Sequence, residues 1–271
     1  MSETPEKPRA AMRLKDRVAL VTGGDRGLGF GIARAFAREG ARVCIANPHA
    51  DAGEAAARQI DKDGGSSMAV TMDVTDEAQV EAGAARTVER WGGLDILVSN
   101  AGVQHIDPLS DLALADWRRL LAIHLDGAFL TSRAALRIMS ASGRGGSIIL
   151  MGSVMSVSSE RLKAPYVTAK HGLAGLCQVI AREGAEHGVR CNLIEPGFVR
   201  TDLMEKQIPE QARALGISED EVVRRVMLGG TVDAQFATVE DVAEVAVIFA
   251  SFPSNALTGQ SLAVSHGWGM H

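Results

Sequence analysis

Tyrosine is nearly missing from this sequence: Tyr166 is the single one among 271 residues, and aromatic side chains make up 4% of the chain. Cysteine is scarce too. Cys44, Cys177 and Cys191 have neither paired spacing nor the clustering of metal ligands, which argues against a disulfide framework and against a metal site. All three sit in apolar segments, the setting of buried free thiols in a reducing cytoplasm. No charge of one sign dominates. With 28 basic and 33 acidic residues the formal charge is -5, so the electrostatic footprint of a nucleic-acid or anionic-membrane binder is lacking. Apolar runs are too short to span a bilayer, and the opening "MSETPEKPRAAMRLKD" lacks the apolar centre of a secretory signal. Residues 1–14 read as a flexible tail. Without repeats, low-complexity tracts or a second boundary, 15–271 read as one domain, and a hydrophobic content of 46% suits a sizeable core. The expectation is a cytoplasmic protein whose partner is a small molecule.

What is present is alternation. Short apolar runs at 17–24, 41–47, 67–74, 94–102, 146–153, 189–197 and 261–267 read as strands. Helical apolar spacing fills most of the intervals, at 27–40, 75–92, 111–141 and 165–186, with an alanine-rich helix after the second strand. Strands that are apolar throughout and separated by helices predict a parallel sheet covered on both faces, an α/β doubly wound fold with ligands at the carboxyl ends of its strands. Residues 198–238 interrupt the alternation and read as a small lid insertion beside that crevice.

The first strand runs into "TGGDRGLG" (22–29), with Gly23, Gly27 and Gly29 between a strand and a helix at the start of a βαβ unit. Glycines allow the backbone close to a pyrophosphate, and the helix amino terminus supplies unpaired N–H donors. Further along, Tyr166 and Lys170 stand four residues apart, about one helical turn, so both project from one face. An ammonium roughly 5 Å from a phenol, at an effective dielectric near 20, favours the phenolate by about 3 kcal/mol, some two pKa units. A half-buried tyrosine beside a surface lysine has the same spacing, so the pair gains meaning only from its surroundings.

Those surroundings are ordered: "TGGDRGLG", "DV" at 73–74, "SNAG" at 99–102, Ser153, "YVTAK" at 166–170 and "PGFVRT" at 196–201. In this series the chain resembles the short-chain dehydrogenases/reductases over nearly its whole length. The resemblance implies a Rossmann-type single domain that transfers a hydride between nicotinamide and a small-molecule substrate. It implies that Ser153 orients the substrate oxygen, that Tyr166 exchanges its proton, and that Lys170 lowers the tyrosine pKa and holds the cofactor ribose. The cofactor would lie against Gly23, Asp25, Arg26, Gly27, Leu28 and Gly29 of the turn. Asp73 and Val74 would flank the adenine, and Asn100, Ala101 and Gly102 would line the cleft. Pro196, Gly197, Val199 and Thr201 would complete it, Thr201 at the carboxamide. An acid at the end of the second strand would select NAD, and an arginine NADP. This chain has Asn47 there, with Arg26 the only basic side chain within reach in the glycine turn, which favours NAD over NADP. Family members are tetramers, so the resemblance also implies a homotetramer.

Within the family, "NAGVQHIDPL" (100–109), "LKAPYVTAKHG" (162–172), "PGFVRTDLMEKQIPEQ" (196–211) and "SHGWGM" (265–270) are most similar to the D-3-hydroxybutyrate dehydrogenases. That similarity implies a carboxylate grip by Gln104, Lys163 and Gln207 with Phe198 as an apolar wall, and Trp268 either closes over the site or packs at a subunit contact. A small anionic substrate needs a fixed cation opposite its reacting carbon. Three positions depart from the pattern, the mildest being Phe198, which still supplies an apolar wall after the Pro-Gly pair. Met155 stands where a histidine is expected, and it cannot donate a hydrogen bond to a carboxylate. His124 replaces an asparagine thought to support a proton relay. A histidine could serve that relay as a catalytic member, or be a core residue of a long helix. The expected reaction is NAD-dependent interconversion of D-3-hydroxybutyrate and acetoacetate. A 3-oxoacyl thioester, a polyol, or a sensor without catalysis remain as alternatives.

Overall fold

A computed structural model describes residues 12–270 of the chain. Residues 1–11 of the expected tail lie outside the described residues. Its last residue, Leu14, is 1% exposed and packs into the core. Arg13 pairs with Glu39 and Glu244, so the ordered body begins earlier than the sequence reading placed it.

Seven parallel strands form one sheet in the order β3-β2-β1-β4-β5-β6-β7. They are β1 (Val18–Thr22), β2 (Arg42–Asn47), β3 (Ser66–Thr71), β4 (Ile96–Ser99), β5 (Gly146–Met151), β6 (Val189–Pro196) and β7 (Ser261–Val264). The order reverses beside β1, where β2 and β4 lie on opposite sides, and this is the topological switch point at which such sheets bind ligands. Period-two alternation divides the core. Ala19, Val21, Val43, Ile45 and Ile149 pack with helices α1 (Gly27–Arg38), α2 (Ala50–Lys62) and α9 (Val239–Ser251). Leu20, Cys44, Leu97, Ile148 and Leu193 face the opposite way, towards α3 (Glu77–Trp91), α5 (Gly127–Ser142) and α6 (Ala164–Gly184). All three cysteines are buried free thiols.

The sheet edges differ from the expectation of strands covered on both faces. β3 and β7 are partly exposed, because each has a neighbouring strand on one side only. The long helix expected over 111–141 is also interrupted. α4 (Leu114–Leu121) passes through a π-helical turn (Ala122–Asp126) before continuing as α5. Such turns widen the helix locally and recur at functional sites; this one carries His124. The 198–238 insertion folds as α7 (Asp202–Leu215) and α8 (Glu219–Glu221), followed by a π-helical stretch (Val222–Met227). Met204, Ile208, Val222 and Met227 give it a small core of its own. Among the described residues no helix is long and apolar enough to cross a membrane.

Candidate active site

The carboxyl ends of β1 to β6 open onto one cavity of about 730 Å³. At one end lies the glycine turn. Gly23 (φ +59) and Gly27 (φ +54) adopt left-handed backbone that a side chain would strain. Gly27 opens α1, and Arg26 at the cap position gives the helix no side-chain hydrogen bond. The first-turn N–H groups at Gly27 and Leu28, both on the cavity wall, are thus left for an external acceptor. Gly29 has a different role from the cofactor contact expected of it, since it is not on the cavity wall. A Cβ there would lie 2.2 Å from the Gly23 carbonyl oxygen and 2.5 Å from Asn100 Nδ2, so its hydrogen lets α1 pack on the turn. Asn100 braces the same turn by donating to the Thr22 and Gly23 carbonyls at 3.0 and 3.2 Å.

Asp25, Arg26, Asn47, Asp73 and Val74 line this end, and Ala101, Gly102, Pro196, Gly197, Val199 and Thr201 continue the wall. Several of their polar groups also hold the local backbone. Asp73 accepts from the Thr75 N–H and hydroxyl at 2.9 and 2.8 Å. Asn47 is buried and its Oδ1 accepts from the His49 N–H at 2.7 Å. Thr201 caps α7 through the Met204 N–H. Arg26 is largely exposed, 3.6 Å from Asp25. An uncapped helix terminus, a glycine turn with room above it and polar strand ends fit the pyrophosphate and riboses of a dinucleotide.

Ser153, Tyr166, Lys170 and His124 line the other end. Ser153 follows β5 and caps the short turn Val154–Ser156, accepting from the Met155 N–H at 3.2 Å. Pro165 occupies the first turn of α6, where its missing N–H costs nothing, and Tyr166 and Lys170 then share a helix face. Lys170 Nζ donates to the Met151 carbonyl at 2.5 Å and lies 5.3 Å from the centre of the Tyr166 ring. Burial pushes the Lys170 pKa down to about 7. The Tyr166 phenol is raised from its ordinary value, chiefly by burial; its hydrogen bond with Ser153 works in the opposite sense, and the charge of Glu160 adds to the rise. The net direction is thus opposite to the lowering expected beside Lys170. The ammonium is directed to a carbonyl and is itself half discharged near neutrality, so in this state desolvation of the phenolate wins.

Of the two alternatives for His124, relay member or core residue, its surroundings resemble the second. Its Nε2 lies 3.1 Å from the Val103 N and 2.7 Å from the Val103 carbonyl oxygen, while Nδ1 is buried without a hydrogen-bond partner. Neither ring nitrogen bonds to Lys170. The imidazole stands edge-on to Tyr166 with centroids 5.3 Å apart. It fills the space beside Gly102, where a Cβ would come within 2.5 Å of the His124 ring. The imidazole thus contacts both the Val103 backbone and the tyrosine ring.

Gln104, Met155, Lys163, Phe198 and Gln207 all reach the cavity. Trp268 does not: it packs edge-on behind Phe198, with centroids 6.1 Å apart, and therefore supports the wall rather than forming it. Lys163 is buried and pairs with Glu160 at 2.8 Å, with the Phe198 ring 5.3 Å from its Nζ. Sequence reasoning missed Glu160. Its only trace is the Glu-x-x-Lys spacing, which is common on any exposed helix. Arg119, Val103, Met204 and Lys206, also on the wall, carried no sequence signal.

The sequence model of the family described as short chain dehydrogenase matches residues 17–212, from β1 into α7. The chain belongs to the short-chain dehydrogenases. As a member it is an oxidoreductase that works with a nicotinamide cofactor. It is similar to a D-beta-hydroxybutyrate dehydrogenase of Rhizobium meliloti, with 37% identity over 93% of this chain and 98% of that protein. It is also similar to a D-threitol dehydrogenase of Mycolicibacterium smegmatis, with 34% identity over 94% of each. Among solved structures, a gluconate 5-dehydrogenase of Burkholderia cenocepacia in complex with NADP and tartrate superposes with a TM-score of 0.86. That structure is 30% identical and the match covers 95% of this short-chain dehydrogenase and 97% of the other chain.

Proposed function

We propose that this short-chain dehydrogenase interconverts a short 3-hydroxy acid, D-3-hydroxybutyrate, and its 3-oxo acid, with NAD as the hydride acceptor. The observation that carries the reading is that Gln104, Lys163 and Gln207 share one cavity with Ser153 and Tyr166. The named hydroxybutyrate dehydrogenase among its relatives supports it. Ser153 holds the substrate oxygen, and Tyr166 takes the hydroxyl proton as the carbonyl forms. NAD held against the glycine turn at Gly27 and Leu28 would supply the hydride acceptor for the substrate carbon. Lys170, at the floor of the site, would meet the ribose, while Gln104, Lys163 and Gln207 hold the carboxylate away from the reacting carbon. Asn47 at the end of β2, with no basic side chain beside it on that strand, supports NAD over NADP.

A second reading, oxidation of a neutral polyol, is favoured by one observation: Lys163 already has a carboxylate partner in Glu160. The D-threitol dehydrogenase among the relatives gives it the same kind of support. NADH formation at 340 nm separates the two, with D- and L-3-hydroxybutyrate and D-threitol as substrates and NAD and NADP in parallel. Turnover of D-3-hydroxybutyrate with NAD upholds the first reading, and turnover confined to the polyol replaces it. The Lys163→Ala variant should raise KM for the hydroxy acid by tenfold or more, the loss of a charge-assisted hydrogen bond.

A further inference from the structure

Lys163 is one of the cations on the cavity wall, and its environment is unusual for a residue meant to hold a carboxylate. Its side chain is 4% exposed and that of Glu160 14%, so the pair at 2.8 Å is shielded from water. Glu160 does not itself reach the cavity wall; it meets the ammonium from behind. The turn that joins them is held in a costly shape. Leu162, a bulky residue, adopts φ +70, and its carbonyl accepts the Asp107 N–H at 3.0 Å. Such strain persists where the surrounding structure imposes it, and it clusters at ligand sites. Glu160 is felt at the reacting end as well: after burial, its charge is a further cause disfavouring the Tyr166 phenolate.

We propose that Glu160 sets the charge preference of the substrate site, by offsetting the field of the Lys163 ammonium from outside the cavity so that a hydroxyl is held there nearly as well as a carboxylate. Coulomb energy falls only as the inverse of distance. A substrate carboxylate on the open side of the ammonium would sit about twice as far from Glu160 as from Lys163. Repulsion then cancels about half of the attraction, and the burial of the pair limits how far water screens it. A neutral hydroxyl accepting from the same ammonium meets no such opposition. Met155 next to Ser153 adds no donor that would restore the preference for an anion.

This inference rests on Lys163 being the residue that meets the far end of the substrate. The test compares 3-hydroxybutyrate with butane-1,3-diol, which keeps the secondary alcohol and replaces the carboxylate by a neutral hydroxymethyl group. Alongside activity, the dissociation constant of butyrate is measured calorimetrically on the NAD-loaded protein. Glu160→Gln should tighten butyrate about tenfold and raise kcat/KM for the acid relative to the diol by a similar factor, through KM. In a Lys163→Met background the same substitution should have little effect. Unchanged or weaker butyrate binding in Glu160→Gln, or the same gain without Lys163, overturns the proposal. If Glu160→Gln does not fold, Glu160→Ser carries the test. Tighter butyrate with no turnover of any 3-hydroxy acid would uphold the role of Glu160 while refuting the hydroxy-acid reading.

Discussion

Replacing His124 by asparagine should flatten the acid limb of this protein's stability curve. The imidazole is 5% exposed, its Nδ1 has no partner, and it lies near the buried Lys170. Burial and then the Lys170 charge push its pKa down to about 3, while the Val103 backbone raises it less. In the unfolded chain the same group titrates near 6.5. The unfolded state therefore binds the extra proton between these values, and stability is lost as pH falls below about 6.5. Between pH 7 and pH 5 this one group accounts for a loss of about 2 kcal/mol, approaching about 5 kcal/mol by pH 3. Denaturant unfolding of wild type and His124→Asn at pH 5, 6, 7 and 8 measures it, since other titrations largely cancel in the difference. The wild type should lose about 2 kcal/mol more than the variant between pH 7 and pH 5. A difference independent of pH would mean that His124 protonates freely in the folded state, and the buried neutral imidazole would be refuted.

Three further outcomes follow from the same geometry. Tyr166→Phe should cut kcat by about 10²- to 10⁴-fold, the range for loss of a positioned proton donor or acceptor, with cofactor affinity by fluorescence titration nearly unchanged. Lys170→Met should abolish turnover yet raise the thermal midpoint at pH 6 by more than at pH 10. The folded pKa of about 7 lies below that of the unfolded chain, so the cost of burying this charge is greatest below pH 7 and fades as pH rises. A midpoint gain equal at both pH values would contradict that. Gly29→Ala should destabilise the fold measurably and weaken dinucleotide binding, because its Cβ would meet backbone 2.2 Å away; a wild-type urea midpoint would sink this account.

The succession of strands and helices, the glycine turn and the Tyr166–Lys170 spacing were legible because each depends on residues near one another in the chain, whereas the order of the strands in the sheet was not. Alternation of apolar runs dictates a parallel sheet, and a sheet of that kind puts its ligands at the strand ends. Tertiary structure decided everything that depends on who meets whom across the fold. Gly29 turned out to pack against Gly23 and Asn100 rather than touch the cavity, and Trp268 stands behind Phe198. The direction of the Tyr166 pKa is upward because burial outweighs the Ser153 hydrogen bond, and burial is a property of the whole fold. Glu160 and Lys163 had ordinary helix-surface spacing in the sequence. Only a strained turn at Leu162 and the closure of Phe198 over the lysine make that spacing a water-shielded ion pair at the substrate site.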